Sequence, residues 1–108
     1  MINGTTPHLV ADVTLYKTDE GGRQLAALPG WGCPCMIDAN SKIAWDAWPV
    51  LGDTPLLPGE KRRLGFVFLS DEAPEKMKAA GQFFLWEGKV IGEAVVVDSN
   101  VLGTVFEA

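Results

Sequence analysis

Glycine and proline limit the length of every element this chain can form. The 108 residues hold twelve glycines and seven prolines. A breaker therefore falls on average about every six residues, a spacing that favours short strands and turns over long helices. The segments between breakers carry period-two patterning. From His8 to Lys17, Leu9, Ala11, Val13 and Leu15 alternate with Val10, Asp12, Thr14 and Tyr16. Successive side chains on a strand point to opposite faces, so this pattern predicts a half-buried strand with one apolar face.

The same logic runs down the chain. Thr18-Asp19-Glu20-Gly21-Gly22-Arg23 carries the glycine pair of a tight hairpin, which predicts a return strand over Gln24–Leu28. Pro29-Gly30 breaks that strand. Further strands are expected at Cys33–Asp38 and Ile43–Trp48, joined by a turn at Ala39-Asn40-Ser41-Lys42. Pro49 to Pro58 is a loop by composition, with at most a short bridge at Val50-Leu51. Pro58-Gly59-Glu60 then turns the chain into a strand over Arg62–Leu69. There Leu64, Phe66 and Phe68 share one face and Val67 and Leu69 the other, predicting burial on both sides.

One helix is expected, over Ala73–Ala80. Ser70 can cap it, Asp71 and Glu72 suit its positive end, Pro74 fits the first turn, and Gly81 fits the left-handed position after the last. Strands at Gln82–Glu87 and Val90–Val97 follow, with Gly88-Lys89 as a two-residue turn. Val101–Phe106 offers one more strand or a cover for a barrel end. No internal repeat, low-complexity tract or linker stands out. The expected fold is all-β, a small antiparallel barrel of about six strands with one short helix and a single domain over residues 1–108.

Composition narrows the function classes. A hydrophobic fraction of 47% belongs to a globular domain. Such a chain buries roughly two thirds of its unfolded surface. No apolar run approaches the ~18 residues of a membrane span, and Met1-Ile2-Asn3-Gly4-Thr5-Thr6-Pro7 has neither a basic start nor an apolar stretch. A cytoplasmic protein without a membrane partner is the expectation. The net charge of −5 opposes broad nucleic-acid binding, which draws its affinity from Lys and Arg that displace counterions. The one basic cluster, Lys61-Arg62-Arg63, reads more readily as the solvated end of a strand.

Few residues point to chemistry. Cys33 and Cys35, at i and i+2 of a strand, share a face with Cα atoms ~6–7 Å apart, close enough to share a metal or an oxidant. A structural zinc site needs about four ligands, and only His8 adds a good donor. Two inert thiols packed as small hydrophobes are the main expectation, with a redox or metal role as the alternative. His8 has no serine or carboxylate at telling spacing. The carboxylates Asp46, Asp53, Glu60, Asp71 and Glu72 fall in turns or at a helix start, where they cap and solubilise. With no nucleotide-binding loop or nucleophile motif, neither catalysis nor a cofactor is expected.

Among the tryptophans, Trp45 and Trp48 are expected on opposite faces of their strand and Trp86 in the core. Trp31, beside glycines in a loop, is the best candidate of the four for exposure, although packing back over the barrel mouth is the first expectation for it and an interface role the alternative. Arg23 and Trp31 are residue types enriched at interface hot spots. They bracket the first hairpin and the next connection, and so are the candidate partner-binding residues.

Two regions of the chain resemble the C-terminal β-barrel domain of the elongation factor Tu family. One is Val13-Thr14-Leu15-Tyr16 leading into Asp19-Glu20-Gly21-Gly22-Arg23, similar to that domain's opening strand and hairpin. The other runs from Pro58-Gly59-Glu60 to Val97, with Glu87, Gly88 and Gly92 in similar positions. The resemblance implies a six-stranded antiparallel barrel with no catalytic role that contacts other protein domains and the acceptor and T-stem backbone of aminoacyl-tRNA. Glu87 and Gly88 match that RNA-facing hairpin. With Lys89 and Lys61-Arg62-Arg63 they make the alternative, tRNA-binding set. Trp31-Gly32-Cys33-Pro34-Cys35-Met36 departs from the family's aromatic-Arg-Pro-Gln-Phe pattern by lacking the arginine, which ranks a protein partner of translation-factor type ahead of tRNA.

Overall fold

The computed structural model describes residues 6–97. Six strands close into an antiparallel barrel: β1 Leu9–Leu15, β2 Cys33–Met36, β3 Trp45–Pro49, β4 Lys61–Phe68, β5 Gln82–Trp86 and β6 Val90–Val96. Around the barrel they run β1-β4-β3-β2-β5-β6, with β6 returning to β1. The run β1-β4-β3-β2 is a Greek key, in which a long connection carries the chain past its neighbour. One helix, α1 at Ala73–Ala80, matches the expected span. The Val101–Phe106 segment lies outside the described residues. No helix among the described residues is long and apolar enough to cross a membrane.

The predicted alternation in β1 puts Leu9, Ala11, Val13 and Leu15 in the core, where they meet Leu64, Phe66 and Phe68 of β4 and Phe83 and Leu85 of β5. Phe66 and Phe83 pack edge-to-face at 5.1 Å, with Phe68 6.1 Å from Phe83. Rings in that geometry add about 0.5–1.5 kcal/mol beyond the area they bury. In β4 the face of Leu64, Phe66 and Phe68 is buried, whereas the outer face is covered only at Gly65, beneath Pro7. Val67 is half-buried and Leu69, just past the strand, is exposed, so the apolar run does not mark a strand covered on both sides. In a closed barrel the outer wall faces solvent wherever no other element covers it.

Both barrel ends are plugged. Alternating strand directions put the connections 16–32, 50–60 and 87–89 at one end, called the loop end below. The connections 37–44 and 69–81 lie at the other. There α1 inserts Ala73 and Met77 into the core. Ser70 does not cap it as expected: Glu72 holds the cap position without a side-chain cap bond, and the Ser70 hydroxyl accepts only the Glu72 N–H at 3.3 Å, while Gly81 closes the helix with an N–H bond to the Met77 carbonyl.

At the loop end the expected return strand does not form. Thr18–Glu20 makes one turn of 3-10 helix, and Gln24–Leu28 joins no strand. The reason is topological: β1 already pairs with β4 on one edge and β6 on the other, leaving no edge for a hairpin partner. The segment instead finds the 50–60 loop. Ala27 and Leu56 exchange two backbone hydrogen bonds of 2.8 and 2.9 Å, and both side chains are fully buried. This bridge lies at Leu56, not at the expected Val50-Leu51, where Val50 merely extends the β3–β4 ladder through a bond to Gly65.

A short repeat becomes visible here that inspection of the sequence passed over. Leu28-Pro29-Gly30-Trp31 and Leu57-Pro58-Gly59-Glu60 each follow a bridging residue, and each closes with an N–H bond of 2.9 Å to its leucine carbonyl. Gly30 and Gly59 sit at φ 93° and 87°, a conformation that costs an L-residue about 1–2 kcal/mol. The two turns are antiparallel counterparts across the Ala27–Leu56 bridge.

These contacts generate a stability prediction. Leu56→Ala, which empties a site with no solvent access, should cost about 2–5 kcal/mol in urea unfolding. Gly30→Ala meets open space, so its cost should be only the conformational ~1–2 kcal/mol.

Candidate functional site

Three side chains from distant parts of the sequence converge at the loop end. Arg23 Nε donates to Glu87 Oε1 at 2.9 Å, and Trp31 Nε1 donates to Glu87 Oε2 at 3.0 Å. The Arg23 guanidinium lies over the Trp31 ring, 5.1 Å from its centroid. One carboxylate thus engages two donors while the cation covers the indole face, a pairing worth about 0.5–1 kcal/mol at a partly exposed site. Arg23 is held from behind as well: its Nη1 donates to the Leu25 carbonyl at 3.0 Å, and its own carbonyl accepts from Thr18 Oγ1 at 2.6 Å.

The β5–β6 hairpin aims Glu87 at this cluster. Trp86 pairs with Val90 and Leu85 with Gly92, leaving Ile91 as an extra residue. The connection is therefore three residues, Glu87-Gly88-Lys89, and not the expected two. A bulge of this kind bends the strand and redirects its neighbours. The Glu87 N–H bond to the Lys89 carbonyl, 2.8 Å, closes the turn.

Arg23 and Trp31, the two expected partner-binding residues, are in contact. Arg23 pairs with Glu87 and not with nearby Asp19 or Glu20. Trp31 is half-buried and packs against the core edge, as the packing expectation for it has it, while part of it stays open. Trp86 is the reverse case, pointing outward and 39% exposed although expected in the core. Trp45 packs on the core, whereas Trp48 lies on the outer face beside Gly32.

Sequence inspection missed the leucines around this cluster. Because Ala27 and Leu56 point inward, the next residues, Leu28 and Leu57, point out, and they are 62% and 55% exposed. Leu25 is 74% exposed. All three belong to loop-end connections. The signal in the sequence was the repeated Leu-Pro-Gly, with a leucine ahead of a rigid turn each time.

The basic cluster is not a free cationic patch. Arg62 bonds Glu60 at 2.9 Å, the Thr54 carbonyl at 2.9 Å and the Pro55 carbonyl at 2.7 Å, stapling the 50–60 loop. The Leu57 N–H, and secondarily Arg62, hold the Glu60 carboxyl below its ordinary pKa. Arg63 points to the other side and pairs with Asp12 at 2.8 Å, a bond that lowers the Asp12 pKa. Lys61 and Lys89 are exposed, and neither is in an ion pair among the described residues. Gly88 takes φ 75° at the hairpin tip.

Cys33 and Cys35 share the inward face, as their spacing predicts, and both are buried free thiols. Burial pushes Cys33 up to about 12 and Cys35 well above its ordinary value. Cys33 Sγ lies 3.4 Å from the Trp86 carbonyl and Cys35 Sγ 3.5 Å from that of Cys33, so each has a backbone acceptor. His8 is an exposed residue whose Nδ1 accepts the Phe68 N–H at 2.9 Å, finishing the β4 ladder. Among the described residues no group of three or more His, Cys, Asp or Glu is arranged to hold a metal ion. In comparisons with known proteins, the chain matches no family model and no curated protein.

The thiol environment generates a pH prediction. A group whose folded pKa is raised contributes stability that is fully present below its ordinary value, 9.0 for a thiol, and lost as pH climbs towards about 12. Urea midpoints should therefore fall over that alkaline window. The Cys33→Ala/Cys35→Ala double variant should show a flatter decline. At pH 8 the native protein should react with a thiol-specific disulfide reagent far more slowly than the urea-unfolded chain.

Proposed function

We propose that this protein is a non-catalytic binding module that recognises a protein partner through the loop end of its barrel. The observation that carries this reading is the combination found there. Leu25, Leu28 and Leu57 are exposed large apolar side chains, and beside them Arg23, Trp31 and Glu87 form a pre-ordered polar and aromatic cluster. Exposed leucines brought to one barrel end carry a solvation cost that an apolar partner surface removes. Arg and Trp already fixed in one arrangement lose little entropy on binding. Backbone bonds between the two loops and the Arg62 staple hold the surface in shape before any partner arrives.

The non-catalytic reading is supported by where the reactive groups sit. The thiols are buried with raised pKa values, which disfavours a redox or metal role, and the His8 Nδ1 is spent on a backbone N–H. A six-stranded closed antiparallel barrel agrees with the resemblance to the elongation factor Tu C-terminal domain. A cytoplasmic partner of translation-factor type is the reading we favour. The tRNA-binding alternative through Lys61, Arg62, Arg63, Glu87, Gly88 and Lys89 is weaker. Arg62, Arg63 and Glu87 are already engaged in ion pairs within the barrel, leaving few cations to release counterions from RNA.

Affinity capture from native cells, with bound proteins identified and re-tested in purified form, checks the proposal. Wild-type protein should hold a purified partner that Leu28→Ser/Leu57→Ser loses by roughly tenfold or more, the melting temperature staying within a few degrees because both side chains are exposed. Aminoacyl-tRNA should bind no tighter than about micromolar at physiological salt, the range of non-specific contacts. A tighter tRNA complex would reverse the ranking of partners.

A further inference from the structure

A further feature lies on the outer wall of the barrel, where β5 and β2 run side by side. Trp86 and Met36 both point outward from the adjacent strands β5 and β2, whose registered pairs are Cys35 with Leu85 and Met36 with Phe84. That register sets Trp86 diagonally across from Met36, within reach of a long or aromatic side chain. The β2–β3 connection folds back over the pair. Met36, Ser41, Lys42, Ala44 and Trp86 together line a cavity of about 250 Å³. Met36 is 4% exposed and forms an apolar floor, whereas Trp86 is 39% exposed.

The wall of this cavity is ordered by its own hydrogen bonds. Ser41 Oγ donates to the Ile43 carbonyl at 2.9 Å and accepts the Ile43 N–H at 3.0 Å. The Asn40 N–H is held by Asp38 Oδ1 at 2.9 Å, and the Ser41 N–H by the Asp38 carbonyl at 3.1 Å. The Ser41 hydroxyl is therefore spent on the loop. The one charged side chain lining the cavity is Lys42, which is exposed and in no ion pair among the described residues.

We propose that this cavity binds a small planar aromatic carboxylate, its ring against Trp86 and Met36 and its carboxylate on Lys42. The volume admits one or two fused rings. An open indole face supplies the stacking surface, and a thioether floor makes favourable contacts with aromatic rings. A lone ammonium at the rim sets the sign of the charge. A cationic aromatic would be repelled by Lys42. A neutral one would lack the charge contact with Lys42.

Naphthoate, with uncharged naphthamide as its isostere, tests this in amide and indole proton–nitrogen correlation spectra of the full chain. Saturable shifts should be confined to Met36, residues 41–44 and the Trp86 indole, with naphthamide weaker by about tenfold. Lys42→Gln should reduce naphthoate to the naphthamide level and leave naphthamide unchanged. Trp86→Phe should retain binding and Trp86→Ala abolish it, while Lys17→Gln, an exposed cation at the opposite barrel end, should alter nothing. Absence of saturable shifts at millimolar ligand, shifts that map elsewhere, or equal affinity for the two ligands would each overturn the proposal.

Discussion

Closure of the sheet around β1 is the constraint from which the rest of the molecule follows. β1 registers with β4 from Leu9↔Phe66 to Thr14↔Lys61 and with β6 from Ala11↔Val96 to Leu15↔Gly92. With both edges taken, the chain leaving β1 has no ladder to join and must cross the barrel end to start β2. Closure also removes the unpaired edges that invite aggregation in a small sheet protein. A barrel of this size leaves open ends, and α1 and the loop-end connections fill them with Met77, Ala73, Ala27 and Leu56.

The loop end joins structure to function. Segments that seal a core must turn an apolar side chain inward, and alternation then turns the next one out. Ala27 and Leu56 go in, and Leu28 and Leu57 come out. The same short stretches that complete the core thereby create the apolar surface of the proposed interface. The Pro-Gly turns make that surface rigid, and Arg62 ties one of them to β4. Glu87 reaches the region because the Ile91 bulge lengthens the last hairpin by a residue.

Local signals were legible in the sequence and non-local ones were not. The alternation in β1, the Ala73–Ala80 helix with its Gly81 stop, and the inward Cys33 and Cys35 all rest on contacts within a few residues, and each appears as expected. Gln24–Leu28 looked like a strand because nothing in it reveals that β4 and β6 occupy the edges of β1. Trp86 looked like core because an apolar run does not say which parity faces inward. The pairing of Arg23 with Glu87 spans 64 residues, beyond any sequence pattern. Arg23 and Trp31 were found by residue type and loop position, whereas Glu87 entered through the resemblance and in a different role. The leucines were passed over because exposure cannot be judged before the inward residues are fixed.

The central claim is that the two long connections belong to the rigid barrel and present a fixed surface. Native-state amide hydrogen exchange tests it most directly, since the Ala27 and Leu56 N–H groups lie in loops yet bond each other's carbonyls. Both are expected to exchange with protection close to that of the β1 amides, opening only with global unfolding. Exchange at those two amides as fast as at exposed Gln24 and Asp53 would contradict the account, because the loop end would then hold no fixed shape for a partner to recognise.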